Sequence, residues 1–282
     1  MICLNENYLS FNGNYSVGYR LALFDVNKYK KTLSTQWLGQ SLSYFKELDS
    51  TNTYMKGLPA NQVSHGQLCL ADRQHAGRGQ HDRDWETESG KNLTFTLAFR
   101  PSSARRFHIL TLACARAAVA EIEDRTDQRA YIKWPNDIII RNKKVAGLLT
   151  ETVFNGNELD RLLIGIGLNV NQEAFTLPLR DKAVSLKQVL RKEVCREEFL
   201  CRFLSRIEFE YTRWHKQNDE LLKFINKKII GYGRWIKINV NGHLKSEPYK
   251  LLGINQKGQL TVITKEGDVE TFSHEQINVI TD

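Results

Sequence analysis

No stretch of this 282-residue sequence is apolar for long enough to cross a membrane. The longest apolar run covers residues 109–120 and contains Arg116. It falls well short of the roughly 20 apolar residues that a membrane-spanning helix requires. Residues 1–20 also lack the basic start and apolar core of a secretory signal. We therefore expect a cytoplasmic protein that does not contact a membrane.

Cysteine is scarce, and its spacing points to no metal or redox motif. The five cysteines are an odd number, and no pair has the two-residue gap typical of zinc and redox sites. We expect reduced thiols with mostly structural roles. Internal repeats and low-complexity segments are lacking too. The cysteines are Cys3, Cys69, Cys114, Cys195 and Cys201.

The overall composition is that of an ordinary soluble globular protein, with 41% hydrophobic and 26% charged residues. A formal net charge of +8 would attract nucleic acid, a nucleotide or an acidic protein. The charge does not select among these partners. Because Lys and Arg are scattered, a basic surface without a specific partner explains it equally well.

Hydrophobic periodicity predicts a large first domain over residues 1–225. Its strongest helices are predicted over residues 105–123 and 197–215, where apolar residues recur at helical spacing. Residues 93–99 read as an alternating strand, and the turn Asn142-Lys143 is predicted to join two strands as a hairpin.

Residues 226–282 are predicted to form a small β-barrel. Short alternating strands are separated there by the turn signals Asn241-Gly242, Lys257-Gly258 and Glu266-Gly267. The predicted strands cover residues 235–240, 249–254, 260–263 and 269–272.

A glycine-rich polar loop is the least ordinary segment of the chain. It contains Gly77, Arg78 and Gly79, and ends with Arg83 and Trp85. Backbone N–H groups and guanidinium groups in such a loop can bind phosphate oxygens. The tryptophan offers a flat face to a base. A plain surface turn between two strands would have a similar composition.

A second polar segment, Lys133-Trp134-Pro135-Asn136-Asp137, forms a predicted bend at the end of a strand. Proline prevents a helix from continuing, so an amine, an amide and a carboxylate are held on a rigid turn. Asp137 can hold magnesium and Lys133 can neutralise phosphate. A turn capped by an Asx side chain is the alternative.

Two further polar residues lie in or beside apolar strands. Lys144 begins one strand, where its charge needs a partner such as a ligand carboxylate, unless the side chain extends to water. Asn169 follows Gly165 and Gly167, which allow close backbone approach, and its amide can pair with an adenine edge. On its own, the segment that contains Asn169 is more often typical of a turn.

Together, and in this order, the Gly-Arg-Gly loop, the Lys-Trp-Pro-Asn-Asp bend and the Lys-x-Ala-Gly strand resemble the biotin protein ligase family, also called the holocarboxylase synthetase family. The resemblance runs over residues 48–171. It implies an α+β fold, with a mixed-sheet catalytic domain and a small C-terminal SH3-like barrel. It also implies that biotin and ATP react, with Mg²⁺, to form biotinyl-5'-AMP. The biotinyl group is then expected to pass to a lysine of a biotin carboxyl carrier protein or domain.

The resemblance also assigns roles to individual residues. The catalytic groups are expected to be Lys144, Arg83 and Lys133, with Asp137 as the metal ligand. The expected biotin-binding residues are Ser50, Thr51, Gln74, Gly77, Arg78, Lys144 and Gly147. The expected ATP- or adenylate-binding residues are Arg78, Arg83, Trp85, Lys133, Asn136 and Asn169.

The sequence departs from the family pattern at two loop positions. Many members have arginine where Gln80 stands and glycine where Asp82 stands, so we transfer no role to Gln80 or to His81. Residues 1–45 are expected to be a short extension without a DNA-recognition helix, so we expect no DNA partner. A monomer and a homodimer remain equally open. The competing hypotheses are a lipoate or octanoate ligase and a non-catalytic nucleic-acid-binding protein.

Overall fold

The structure is a computed structural model that describes residues 23–80, 84–101, 106–240, 243–273 and 277–280. Its centre is a seven-stranded mixed sheet in the order β1-β2-β3-β7-β6-β5-β4. Only the β1–β2 pair in this sheet is parallel. The strands are β1 (Leu42–Leu48), β2 (Leu68–Gln74), β3 (Leu93–Phe99), β4 (Ala130–Lys133), β5 (Asp137–Ile140), β6 (Lys143–Asn155) and β7 (Glu158–Leu168).

Six α-helices and the short 3₁₀ helix Ala60–Gln62 accompany the described strands. One face of the sheet packs against α3, and α5 packs on α3 in turn, so that most of α3 is buried. The predicted helices over residues 105–123 and 197–215 are confirmed within a few residues. The helices are α1 (Val26–Thr32), α2 (Thr51–Gly57), α3 (Phe107–Thr126), α4 (Leu186–Leu190), α5 (Arg196–His215) and α6 (Asp219–Asn226).

Two local predictions were wrong. Strand β3 does not alternate between buried and exposed residues, because all its residues are buried at the centre of the sheet. The β5–β6 hairpin turns at Arg141 and Asn142, not at Asn142-Lys143. Both turn residues have positive φ, 50° and 60°, as the tight turns favoured by twisted hairpins require. Lys143 already belongs to β6.

The C-terminal strands form a second, antiparallel sheet that curls into a half-barrel, in agreement with the predicted SH3-like fold. All four predicted strands are present, and two short strands are added to them. The turn Asn241-Gly242 lies outside the described residues. The strands are β8 (Trp235–Val240), β9 (His243–Leu244), β10 (Tyr249–Ile254), β11 (Leu260–Ile263), β12 (Val269–Phe272) and β13 (Ile277–Ile280).

The half-barrel is joined to the large sheet by specific contacts. The Trp134 indole donates a hydrogen bond to the carbonyl of Gly258 at 3.3 Å. The Asn226 side chain bonds the backbone of Ile254 through both its oxygen and its nitrogen. The predicted division between residues 225 and 226 falls near the end of α6 and stays a prediction. No described helix is both long and apolar enough to cross a bilayer.

Candidate functional site

A cleft that is partly open to solvent lies on the face of the sheet opposite α3. Much of its floor consists of small residues, since Thr94 of β3, Gly147 of β6, and Gly165 and Gly167 of β7 face it beside Leu149. Pairing of Thr94 with Gly167, and of Gly167 with Gly147, places these residues in one row across three strands. The remaining lining comes mainly from α2 and the Gly-Arg-Gly loop. Residues of the cleft include Ser50, Thr51, Asn52, Gln74, Arg78, Gln80, Trp85, Asn136, Lys144, Leu149 and Gly165.

The N-terminus of α2 forms one wall of the cleft. Ser50 is extended and its hydroxyl caps the helix by accepting from the Thr53 N–H, which fixes where α2 begins. The Thr51 N–H and hydroxyl both donate to the side-chain oxygen of Gln74, at 2.7 and 3.0 Å. Ser50, Thr51 and Gln74 thus lie together in the cleft. Because Thr51 occupies the amide oxygen, the NH₂ group of Gln74 is left for a ligand.

The Gly-Arg-Gly loop folds back beside this wall. A backbone hydrogen bond from Trp85 to the Gly77 carbonyl, 2.9 Å long, and a β-bridge between Arg78 and Asp84 join the two ends of the loop. A Cβ on Gly77 would lie only 2.6 Å from the Trp85 carbonyl oxygen, so the loop needs glycine there. Arg83, between these ends, lies outside the described residues.

Trp85 lies over two glycines of the sheet. A Cβ on Gly167 would overlap the indole, and one on Gly147 would come within 3.3 Å of it. Gly167, which the sequence suggested for close ligand approach, therefore also makes room for this ring. The Trp85 indole N–H is buried without a hydrogen-bond partner among the described residues. A buried, unsatisfied donor of this kind is a position where a bound ligand can supply the acceptor.

Lys144 reaches the same cleft because β6 contains a bulge. The ladder pairs Ile138 with Ala146 and then Ile139 with Lys144, skipping one residue. Lys144 and Gly147, three apart in sequence, consequently share a face of the sheet. The Lys144 ammonium lies 2.6 Å from the Asp137 carboxylate and 5.3 Å from the centre of the Trp85 ring.

Glu151 connects three parts of the cleft, and the sequence reasoning missed it. Its carboxylate accepts from Asn52 at 2.9 Å, from Lys56 at 3.1 Å and from Arg78 at 3.3 Å. Burial alone would raise the pKa of Glu151, but the hydrogen bonds from Asn52 and Lys56 and the nearby charges outweigh it and lower the pKa. An acidic residue in a largely apolar strand was the available signal.

Three predicted ATP residues have other contacts in the structure. Lys133 lines a separate groove on the edge of the sheet. The buried Asn169 amide faces the carbonyls of Lys144 and Val184, at 3.5 and 3.4 Å, so it does not line the cleft. The Asn136 amide lines the cleft but donates to the Leu148 carbonyl at 2.7 Å, which ties the bend to β6.

Asp137 is the predicted metal ligand. Within the described ranges, no group of three or more His, Cys, Asp or Glu side chains is arranged to hold a metal. A single carboxylate is nevertheless compatible with magnesium, since Mg²⁺ in nucleotide sites commonly takes one or two carboxylates and completes its shell with phosphates and water. Asp137 therefore fits a magnesium–nucleotide complex.

Comparison with known proteins places the chain in a family. The sequence profile of the Biotin/lipoate A/B protein ligase family matches residues 44–169. The bifunctional ligase/repressor BirA of Bacillus subtilis is 32% identical over 265 residues, covering 91% of this chain and 81% of the relative. The chain belongs to the biotin protein ligase family.

Other comparisons agree with this membership. The biotin–[acetyl-CoA-carboxylase] ligase of Paracoccus denitrificans is 31% identical over 187 residues, covering 61% of this chain and 71% of the relative. The solved structure of a biotin protein ligase from Aquifex aeolicus in complex with biotin and ATP has a TM-score of 0.75 and 29% identity, covering 86% of this chain and 100% of that one. The resemblance drawn from the sequence motifs is confirmed, and the chain is a ligase of this family.

Proposed function

We propose that the chain joins biotin to a lysine of a biotin carboxyl carrier protein or domain in two steps, with biotinyl-5'-AMP as the intermediate. The observation that carries this proposal is the position of Lys144 in the cleft. Its ammonium lies on the floor, while Thr51, Gln74 and Arg78 bring polar groups together on the wall. The part of the cleft at Lys144 suits a carboxylate, and the part at Thr51 and Gln74 suits the neutral polar edge of a ureido ring.

In the first step the biotin carboxylate forms a bond to the α-phosphorus of ATP, and the bond to pyrophosphate breaks. Two anions approach each other, so cationic and N–H groups must be in place before reaction. Lys144 can balance the charge of the carboxylate and the acyl phosphate. By family resemblance Arg83 faces the phosphates, Trp85 faces the adenine and Asn136 binds the nucleotide. The same resemblance assigns Lys133 to the phosphates and Asn169 to the base, but in this structure neither side chain lines the cleft. Magnesium held by Asp137 would neutralise phosphate charge.

In the second step a neutral lysine amine of the carrier attacks the acyl carbon and AMP leaves. The mixed anhydride is already reactive, so no enzyme nucleophile is needed. Burial raises the pKa of Cys69 and of Cys201 to about 12, which agrees with thiols that stay protonated. Arg78, Gly79 and Trp85 line the cleft, and their position suits the exclusion of water from the intermediate.

Several expectations belong to this proposal. They are a cytoplasmic location, a carrier belonging to a biotin-dependent carboxylase, no DNA partner, and a monomeric or homodimeric state.

Exchange of labelled pyrophosphate into ATP tests the first step. We expect exchange that requires biotin and Mg²⁺ and that lipoate or octanoate does not support. Exchange driven by lipoate and not by biotin would reassign the substrate. Mass spectrometry of an added carrier domain tests the second step, with a gain of one biotinyl group on its acceptor lysine as the expected product.

A further inference from the structure

A basic groove lies at the β4 edge of the large sheet, between this edge and residues 227–234. Five cationic side chains line it, whereas Asp127 is the one acid among its lining residues. Its floor also contains aromatic and aliphatic side chains, notably Tyr131, Ile139 and Tyr232. The cations are Arg129, Lys133, Arg141, Lys227 and Arg234.

These five cations make no ion pair with any other described residue. Clustering is what distinguishes these side chains, since five cations and a single acid line one groove. Unneutralised like charges in one groove create a local positive potential that attracts an anionic partner. The basic groove therefore concentrates part of the net charge of +8 in one place.

The backbone at this edge is already paired. Ala130 donates to the Glu123 carboxylate at 3.0 Å, Ile132 donates to the Lys228 carbonyl at 2.7 Å, and Ile230 donates to the Ile132 carbonyl at 2.9 Å. A partner consequently has little opportunity to add a strand to the sheet here. Recognition must come from the side chains of the groove.

The basic groove runs toward the cleft along one face of the sheet. Lys133, in the groove, is the ladder partner of Asp137, whose carboxylate holds Lys144 in the cleft. Tyr131 pairs with Ile139, which in turn pairs with Lys144. A macromolecule bound in the groove would thus lie beside the position where the acyl intermediate is proposed to form.

We propose that the basic groove docks an acidic face of the carrier protein while the acceptor lysine enters the cleft. This inference rests on the proposed function. The chemistry favours a protein over a nucleic acid, because tyrosine and arginine over an apolar floor are typical of protein interfaces. The position of the groove beside the cleft, across the β4–β5 and β5–β6 ladders, also gives a reason for a partner that must present a lysine there.

The test uses the full chain with Arg129→Glu and Arg234→Glu combined, since both side chains are exposed. The matched control combines Lys30→Glu and Lys46→Glu, which makes the same charge change on exposed residues of α1 and β1. The carrier is a purified biotin carboxyl-carrier domain with a net negative charge. Two rates are measured, biotin-dependent pyrophosphate exchange and biotin transfer to the carrier, each at low and high salt.

For the groove variant we expect unchanged exchange, a fall in kcat/KM for the carrier on the order of tenfold or more, and a weaker dependence on salt. The control should retain transfer within about twofold. Transfer by the groove variant equal to that of the control would overturn the docking proposal while leaving the ligase function intact. Lack of biotin-dependent exchange in the unmodified chain would instead refute the function, and the docking proposal with it.

Nucleic acid is the other possible occupant. Binding of a labelled DNA duplex, followed by fluorescence anisotropy, decides this case. Salt-sensitive duplex binding that the groove variant loses, together with unchanged transfer to the carrier, would overturn the proposal in favour of nucleic acid.

Discussion

The ammonium group of Lys144 and the carboxylate of Asp137 lie 2.6 Å apart at the floor of the cleft. They come from two different sequence motifs, and the β5–β6 ladder brings them together. Asp137 is therefore the partner that the charge of Lys144 requires at the start of a buried strand. Both side chains are about one-third exposed or less, so the pair remains accessible to an anionic ligand.

Replacement of Lys144 by alanine should reduce adenylate formation by roughly 100- to 1000-fold, the cost of removing a preorganised cationic donor. Pyrophosphate exchange measures the loss. The fold should be retained, because the side chain contacts the cleft and not the core. Lys143→Ala is the matched control, since Lys143 bonds the Arg180 carbonyl and should keep normal exchange. Normal exchange in Lys144→Ala would refute the assignment.

A methyl group on Gly167 should displace Trp85, because the added Cβ would overlap the indole. We expect Gly167→Ala to weaken ATP use roughly 10- to 100-fold, as misplacement of a binding group commonly does. The KM for ATP in the exchange reaction measures this effect. Gly57→Ala is the control, since a Cβ there meets nothing within 4 Å. An unchanged KM in Gly167→Ala would show that Trp85 does not contact the nucleotide.

The lowered pKa of Glu151 predicts a pH dependence of stability. Because the pKa in the folded protein lies below the ordinary value of 4.5, the stabilisation is fully present above 4.5 and is lost as pH falls through the lowered pKa. The free energies of unfolding of the unmodified chain and of Glu151→Gln, measured by urea unfolding, should therefore differ by a constant amount near neutral pH. This difference should shrink under acid conditions. A difference that grows on acidification would contradict the assignment.

A buried ion pair between β2 and α5 should matter for stability. Arg196 and Asp72 lie 2.6 Å apart, at 5% and 0% exposure of their side chains. Asp72→Ala would leave the guanidinium buried without this partner, so we expect a loss of about 3–5 kcal/mol in the free energy of unfolding. Glu47→Ala, which removes an exposed pair with His75, should change it by less than about 0.5 kcal/mol. A comparably small loss in Asp72→Ala would be inconsistent with the buried pair.

The buried cysteines should be unreactive. Burial raises the pKa of the thiols of Cys69, Cys114 and Cys201, and thiolate is the reactive form. Under native conditions at pH 8, iodoacetamide should label Cys195, which is half-buried, before any of these three. Peptide mass spectrometry gives the order of labelling. Rapid modification of Cys114 in the folded protein would be unexpected.

Much of the fold was predictable because local chemistry marks it. The turns at Lys257-Gly258 and Glu266-Gly267 separated the C-terminal strands where the structure has them. Short helices were harder to predict from the sequence. Helix α4 has only five residues, too few for periodicity to distinguish it from a loop.

The site was predicted in outline, but the direction of individual side chains was not. Lys133 lines the groove because β4 is the edge strand of the sheet. A bulge in β6 decides which residues of that strand share the cleft with Lys144. Neither feature can be read from local sequence. Glu151 was missed for a related reason, since its partners Asn52 and Arg78 lie far away along the chain.

A crystal structure of the chain with biotin would test most directly whether Lys144 binds the biotin carboxylate. We predict that the biotin carboxylate lies within hydrogen-bonding distance of the Lys144 ammonium, with the ureido ring near Thr51 and Gln74. Biotin bound with its carboxylate remote from both Lys144 and the Gly-Arg-Gly loop would contradict it.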